Sequence, residues 1–211
     1  MSTKVETRAR TYLLEQIEDA AVVQLYADGF ASLGRREKVL IWHLYQAALA
    51  GRDIYYDQRH ALALEMRGVV EAVLRHVDGL DPRTVAEIRR YAKLFWINTG
   101  PYNNLTARKF VLNLDRVALR DAVRHAEQHG ATLPRRRNET VDGLIERLAP
   151  MFLDPSVDPF VTSKAPGPGR DILHASANNL YEGVRMEDLE GFDERYGLNS
   201  RLVKRGGVLD E

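Results

Sequence analysis

Apolar residues recur at helical spacing along the first three quarters of the chain. Across residues 12–30, Leu13, Ile17, Val23 and Tyr26 form one stripe, which predicts a first helix. Ser32 is a suitable cap for a second, with Val39, Trp42, Leu44, Tyr45 and Leu49 facing a core and Gly51 ending it. A third covers about residues 58–77, with Leu62, Met66, Val69, Val70, Val73 and Leu74 inward. Asp78-Gly79 stops it. Asp81-Pro82 opens a fourth, with Asp81 as N-cap, Pro82 at the first position, and Val85, Ile88, Leu94 and Phe95 continuing the stripe.

Beyond the Asn98-Thr99-Gly100-Pro101 turn, Asp115 caps a fifth helix reaching His129, and Gly130 ends it. Asn138 caps a sixth, with Val141, Leu144, Ile145 and Leu148 inward and Pro150 as its stop. No fixed-period repeat runs through these segments. Four proline turns between Asp154 and Gly169 then predict an extended, mobile loop. A short ordered stretch around residues 172–181 and a short helix over 186–195 follow. Arg201 to Arg205 reads as a strand, Gly206-Gly207 as a hairpin turn, and Val208-Leu209 as the start of the returning strand.

The expected fold is therefore mainly α: an irregular multi-helix bundle with a long Pro/Gly-rich loop and a short C-terminal β-hairpin or strand. It divides into a helical domain (1–152), the loop (153–170), and a short helix with the start of a β element (171–211). A hairpin strand four residues from Glu211 leaves an edge unpaired, so a continuation into a missing C-terminal part is expected, with a frayed tail as the alternative.

Composition narrows the function classes. The chain has 211 residues, 30 Lys and Arg against 30 Asp and Glu, and no cysteine. Zero net charge disfavours a general nucleic-acid or anionic-membrane binder, since phosphate neutralisation needs surplus cations. Without cysteine there are no disulfides, thiol nucleophiles or cysteine-ligated metals. The charged segment from Met1 to Arg10 lacks the apolar stretch of a signal peptide, and no run approaches the roughly 20 apolar residues of a spanning helix. A cytoplasmic, soluble protein is the expectation.

Few motifs carry chemistry. There is no Gly-x-Ser-x-Gly elbow, no Walker loop and no dinucleotide fingerprint. His125 and His129 share a helix face and could hold a metal. Glu127, however, falls about 200° round from His125, away from that face, and a solvated helix end is the simpler reading. His43 is expected to be partly buried beside Trp42. His60, His76 and His174 have no evident partner, and Arg135-Arg136-Arg137 reads as a solvated loop. Two segments are denser. Arg52, with Asp53 and Asp57 just after it, can form a buried bidentate ion pair that fixes a helix junction. The Lys93–Asn104 segment gathers three aromatics, a Gly-Pro turn and three asparagines. That set suits peptide recognition, although turns routinely collect Asn and Gly.

Four stretches carry a family resemblance. They are Ala50-Gly51-Arg52-Asp53-Ile54-Tyr55-Tyr56-Asp57-Gln58; Phe95-Trp96-Ile97-Asn98-Thr99-Gly100 with Lys109-Phe110; Ala175-Ser176-Ala177-Asn178-Asn179-Leu180-Tyr181-Glu182-Gly183-Val184; and Tyr196-Gly197-Leu198-Asn199-Ser200-Arg201-Leu202-Val203-Lys204. In this order the chain resembles the dipeptidyl peptidase III family of zinc exopeptidases, its bacterial branch most closely. The resemblance implies two lobes around a wide cleft, with zinc held by a His-Glu-x-x-Gly-His helix and a later glutamate. Neither motif occurs here. It thus implies a non-catalytic N-terminal part of the substrate-binding lobe, no cofactor in this chain, and zinc in the full-length parent. The implied partners are a peptide substrate and the missing catalytic lobe, with self-association where that lobe is absent. The candidate substrate-binding residues are Asn98, Tyr102, Asn103, Asn104 and Leu105; Leu105 stands where the family places a cleft-bordering aromatic, five residues before Phe110. Pro101-Tyr102-Asn103-Asn104 departs from the histidine-rich turn common in bacterial members. The alternative is a standalone helical module that binds peptides or a protein partner, and a third reading is a helical metal protein using His125 and His129.

Overall fold

The computed structural model describes residues 10–196 and 200–211. Most of the charged first segment, residues 1–9, and Gly197-Leu198-Asn199 of the fourth stretch lie outside the described residues. The described chain is mainly helical, with a few short strands. It separates into two compact units between Ala50 and Gly51, whereas the sequence pattern groups residues 1–152 together.

In the first unit, the helix expected over residues 12–30 is a β-hairpin. Strand β1 (Leu13–Ile17) pairs antiparallel with β2 (Ala20–Val23), and Ile17 lies opposite Ala20 across a two-residue turn with Glu18 at φ 54°. The stripe misleads because a spacing of four suits a regular strand as well as a helix; here a β-bulge between Leu13 and Glu15 interrupts the alternation, and Ile17 is buried while Leu13 is exposed. Arg10 grips Asp28 with two hydrogen bonds of 2.7 and 2.6 Å, and Tyr12 meets Tyr26 edge-on. Ser32 ends a 3-10 segment (Asp28–Ser32) rather than capping a helix. Helix α1 (Arg35–Arg59) starts after Gly34, whose N–H donates to Glu37 at 2.7 Å, the reciprocal half of a capping box.

Gly51 does not end α1. An interior glycine costs only about 1 kcal/mol, and the alanines around it favour helix. Val39, Trp42, Leu44, Tyr45 and Leu49, expected inward, are all exposed. The break comes at His60, whose Nδ1 accepts the Leu62 N–H at 3.0 Å. The expected third helix is therefore shared between the end of α1 and α2 (Ala63–Leu74).

The second unit is built on α2, α3 (Pro82–Ile97), α4 (Arg116–Gln128) and α5 (Val141–Leu153). Asp81 caps α3 through the Thr84 N–H at 2.9 Å, and Asp115 caps α4 through Ala118 at 2.7 Å. Met66, Val69, Ile88, Tyr91, Phe95, Leu119, Leu144, Leu148 and Phe152 fill the core. At roughly 25 cal/mol per Å², such side chains each contribute about 1.5–3 kcal/mol. Thr140, not Asn138, caps α5, accepting from Gly143 at 3.0 Å. Pro150 lies inside α5 without stopping it. Close to the helix end it removes one backbone bond, and burial of Met151 and Phe152, which directly follow it, offsets that loss.

The proline-rich segment is half ordered. Val161 and Ser163 are buried, Lys109 N–H donates to Pro159 O at 2.9 Å, and Val161 N–H donates to Ala107 O at 3.0 Å. The turns from 164 to 169 are mostly exposed. The helix expected over 186–195 is a single 3-10 turn, Met186–Leu189. Strand β3 (Tyr181–Glu182) pairs parallel with β4 (Leu202–Arg205), which turns through Gly206 and Gly207 into β5 (Val208–Asp210). Both glycines have positive φ, 57° and 85°, as the two-residue turn demands.

Candidate functional site

The loop leaving α3 holds every site residue read from the sequence, and most of their polar atoms face inward. Asn98 donates through Nδ2 to Leu94 O at 2.9 Å and accepts the Asn104 N–H on Oδ1 at 2.9 Å. Asn103 Oδ1 accepts the N–H groups of Leu105 and Thr106 at 2.9 and 3.0 Å, closing an Asx turn. Gly100, at φ 144°, lets its N–H reach Phe95 O at 2.9 Å. Asn98 is 6% exposed and Tyr102 0%, so neither faces solvent. Their polar atoms are spent on building the loop. Leu105, at 94% exposure, is its tip.

Beneath the loop sits a polar cluster. His60 Nε2 lies 3.1 Å from Asp158 Oδ2, and Tyr102 Oη donates to Asp158 O at 3.0 Å. Lys109 Nζ donates to Val157 O. The His60 hydrogen bond holds the Asp158 carboxyl below its ordinary range, against an opposing effect of burial. Burial pushes the Tyr102 phenol up and the Lys109 ammonium down. His60 had no partner legible in the sequence, because Asp158 is 98 residues away and nothing local marks it. Beside the cluster, Leu105, Ala107, Phe160, Thr162 and Lys164 help line a shallow groove of about 290 Å³.

Arg59, not singled out by the sequence, stands at the base of the loop. Its Nη2 donates to Asn98 O at 3.3 Å and to Asn104 Oδ1. The Arg52 pair takes another form. Arg52 is exposed and only grazes Asp53 at 3.5 Å, while Arg67 takes Asp53 at 2.8 Å and Asn179 takes Asp57. Successive helical residues point about 100° apart, which keeps the approach of Arg52 to its neighbour long.

The remaining histidines do other work. The rings of His125 and His129 stack at 4.0 Å. Nε2 of His125 lies 2.9 Å from Asp78 O, and Nδ1 of His129 lies 2.8 Å from His125 O. A ring nitrogen facing a carbonyl acts as a donor, which leaves the lone pair on the other ring nitrogen of each histidine. Among the described residues, no group of three or more His, Cys, Asp or Glu is placed to hold a metal ion. His43 is exposed, edge-on to Trp42, rather than partly buried. Within the basic run, Arg135 pairs with Glu127 at 2.9 Å and Arg136 reaches Glu65 at 3.5 Å.

The four stretches of the resemblance come together. Asn179 donates its N–H to Gln58 O at 2.9 Å, joining the third to the first. The rings of Tyr56 and Phe95 stack at 5.8 Å, joining the first to the second. Phe160 and Val161 tie the third to Arg108, next to the second: Arg108 pairs with Phe160, Ala177 N–H donates to Phe160 O at 3.0 Å, and Asn178 N–H donates to Val161 O at 3.1 Å. Tyr181 and Glu182 pair with Leu202 and Val203, joining the third to the fourth. No protein-family model matches the chain, and no curated protein matches it. No described helix is long and apolar enough to cross a membrane.

Proposed function

We propose that this chain forms one wall of the substrate cleft in a dipeptidyl peptidase III-like zinc exopeptidase, as the N-terminal part of its substrate-binding lobe, and supplies no catalytic group. The parent would release dipeptides from peptide N-termini, with zinc and its ligands in the other lobe. The observation that carries the reading is the convergence of the four resembling stretches. They span residues 50 to 204, yet the third is tied by backbone hydrogen bonds to the first and to the fourth, and the second packs on the first through the stacked rings of Tyr56 and Phe95. Stretches read as a set from sequence alone need not be neighbours, and their contiguity is what a shared surface requires. The exposed Leu105 beside the groove at Phe160 gives that surface an apolar peptide contact.

A standalone peptide-binding module is the second reading, favoured by the same exposed Leu105. The reading frame past codon 211 separates the two: continuation to a His-Glu-x-x-Gly-His motif supports the exopeptidase, and a stop codon supports the module. The purified 211-residue chain is expected to give no turnover of a dipeptidyl arylamide above blank. Zinc-dependent turnover by it would overturn the reading.

A further inference from the structure

Five arginines among the described residues are partly buried: Arg59, Arg67, Arg90, Arg120 and Arg147. Four have a carboxylate: Arg67 with Asp53, Arg90 with Glu87, Arg120 with Asp121, and Arg147 with Glu139 and Glu65. Arg59 is the exception among them. Its only partners are neutral oxygens, Asn98 O and Asn104 Oδ1, both on Nη2. Its Nε is buried and makes no hydrogen bond, and Nη1 makes none either.

A guanidinium in this setting is costly. Partial burial removes water from a charge that no anion compensates, and an unmet buried donor adds its own penalty. Burial pushes the Arg59 guanidinium below its ordinary value, with only Tyr102 opposing. Tying Asn98 and Asn104 accounts for Nη2 alone. It leaves unexplained why a planar five-donor cation stands where one amide would serve.

We infer that Arg59 receives a carboxylate of a bound peptide through Nη1. The inference rests on the cleft-wall reading and adds the substrate chemistry to it: peptides carrying a free C-terminal carboxylate or an acidic side chain. Asn104 and the Asx turn at Asn103 hold the loop against the guanidinium, so the charge is fixed in place before the peptide arrives. A carboxylate there meets an ion already stripped of part of its water, which strengthens the charge-assisted bond.

The test titrates the 211-residue chain calorimetrically with three probes: penta-alanine as the free acid, penta-alanine amide, and the amide with one central glutamate. At least one carboxylate probe is expected to bind about tenfold tighter than the uncharged amide, and which of the two does so names the source. Arg59→Gln should level the three affinities. Arg59→Lys, which keeps charge without the fork, should retain part of the preference. Equal binding of all three probes to the wild type overturns the inference while leaving the cleft wall intact, and this comparison needs no variant. A folded Arg59→Gln chain that keeps the full preference also overturns it. Failure of every probe to bind removes the peptide-wall reading together with it.

Discussion

His60 and Asp158, 98 residues apart, are joined ring to carboxylate at 3.1 Å, and the bond fixes the loop after α5 against the junction of α1 and α2. The Leu62 N–H occupies Nδ1, so Nε2 carries the proton that Asp158 accepts. With its carboxyl held below the ordinary range by that bond, Asp158 contributes stability above its unfolded pKa, near 4. The contribution is lost as pH falls through the lower, folded value. Denaturant melts between about pH 5 and pH 3 should show this loss, and Asp158→Asn should flatten the curve. An unchanged acid limb in the variant would remove the bond from the account.

Arg147 is held by two carboxylates, from Glu139 at 2.7 Å and from Glu65, with the Arg147 and Glu139 side chains 18% and 12% exposed. The Arg147 hydrogen bonds hold the Glu139 carboxyl down to about 2. Its stabilisation is present above the unfolded value near 4.3 and is lost as pH falls toward 2. Arg147→Met leaves two carboxylates facing each other and should cost about 2–4 kcal/mol at neutral pH, read by urea denaturation. A cost under about 0.5 kcal/mol would mark the trio as surface charge.

The core helices were legible because their signals are local. Asp81 and Asp115 cap α3 and α4 from three residues away, and Met66, Val69, Val70 and Val73 fall on one face at the expected spacing. The first fifty residues were not. There, a four-residue spacing fits both helix and strand, and a glycine among alanines stops nothing. At the loop, residues 98 to 105 form one turn-rich segment after α3. Side-chain roles depended on partners that spacing cannot reveal: Asn98 and Tyr102 turn inward because Asn104 and Asp158 accept or supply their bonds. Arg59 carried no motif, and only the lack of a nearby carboxylate distinguishes it.

Gly100 sets the approach of Arg59 to the loop. At φ 144°, a side chain there is strained, and a Cβ would stand 3.2 Å from Arg59 Cβ. Gly100→Ala should therefore cost roughly 1–3 kcal/mol in thermal or denaturant melts. It should also weaken binding of the carboxylate probe more than that of the amide, because the guanidinium is displaced. A variant as stable as wild type would show that the loop accommodates the methyl group without moving Arg59.

Leu105 separates folding from binding. At 94% exposure it contributes almost nothing to the core, so Leu105→Ser should change stability by no more than about 0.5 kcal/mol. If the groove at Phe160 and Lys164 seats a peptide, the same change removes an apolar contact on its edge and should weaken binding of every probe by a similar factor, charged or not. Arg59→Gln, by contrast, should affect only the carboxylate probes. The two variants thus predict different patterns across one set of peptides: a uniform loss from the apolar tip and a selective loss from the cation. A Leu105→Ser chain that binds all three probes as tightly as wild type would place the peptide elsewhere on the surface.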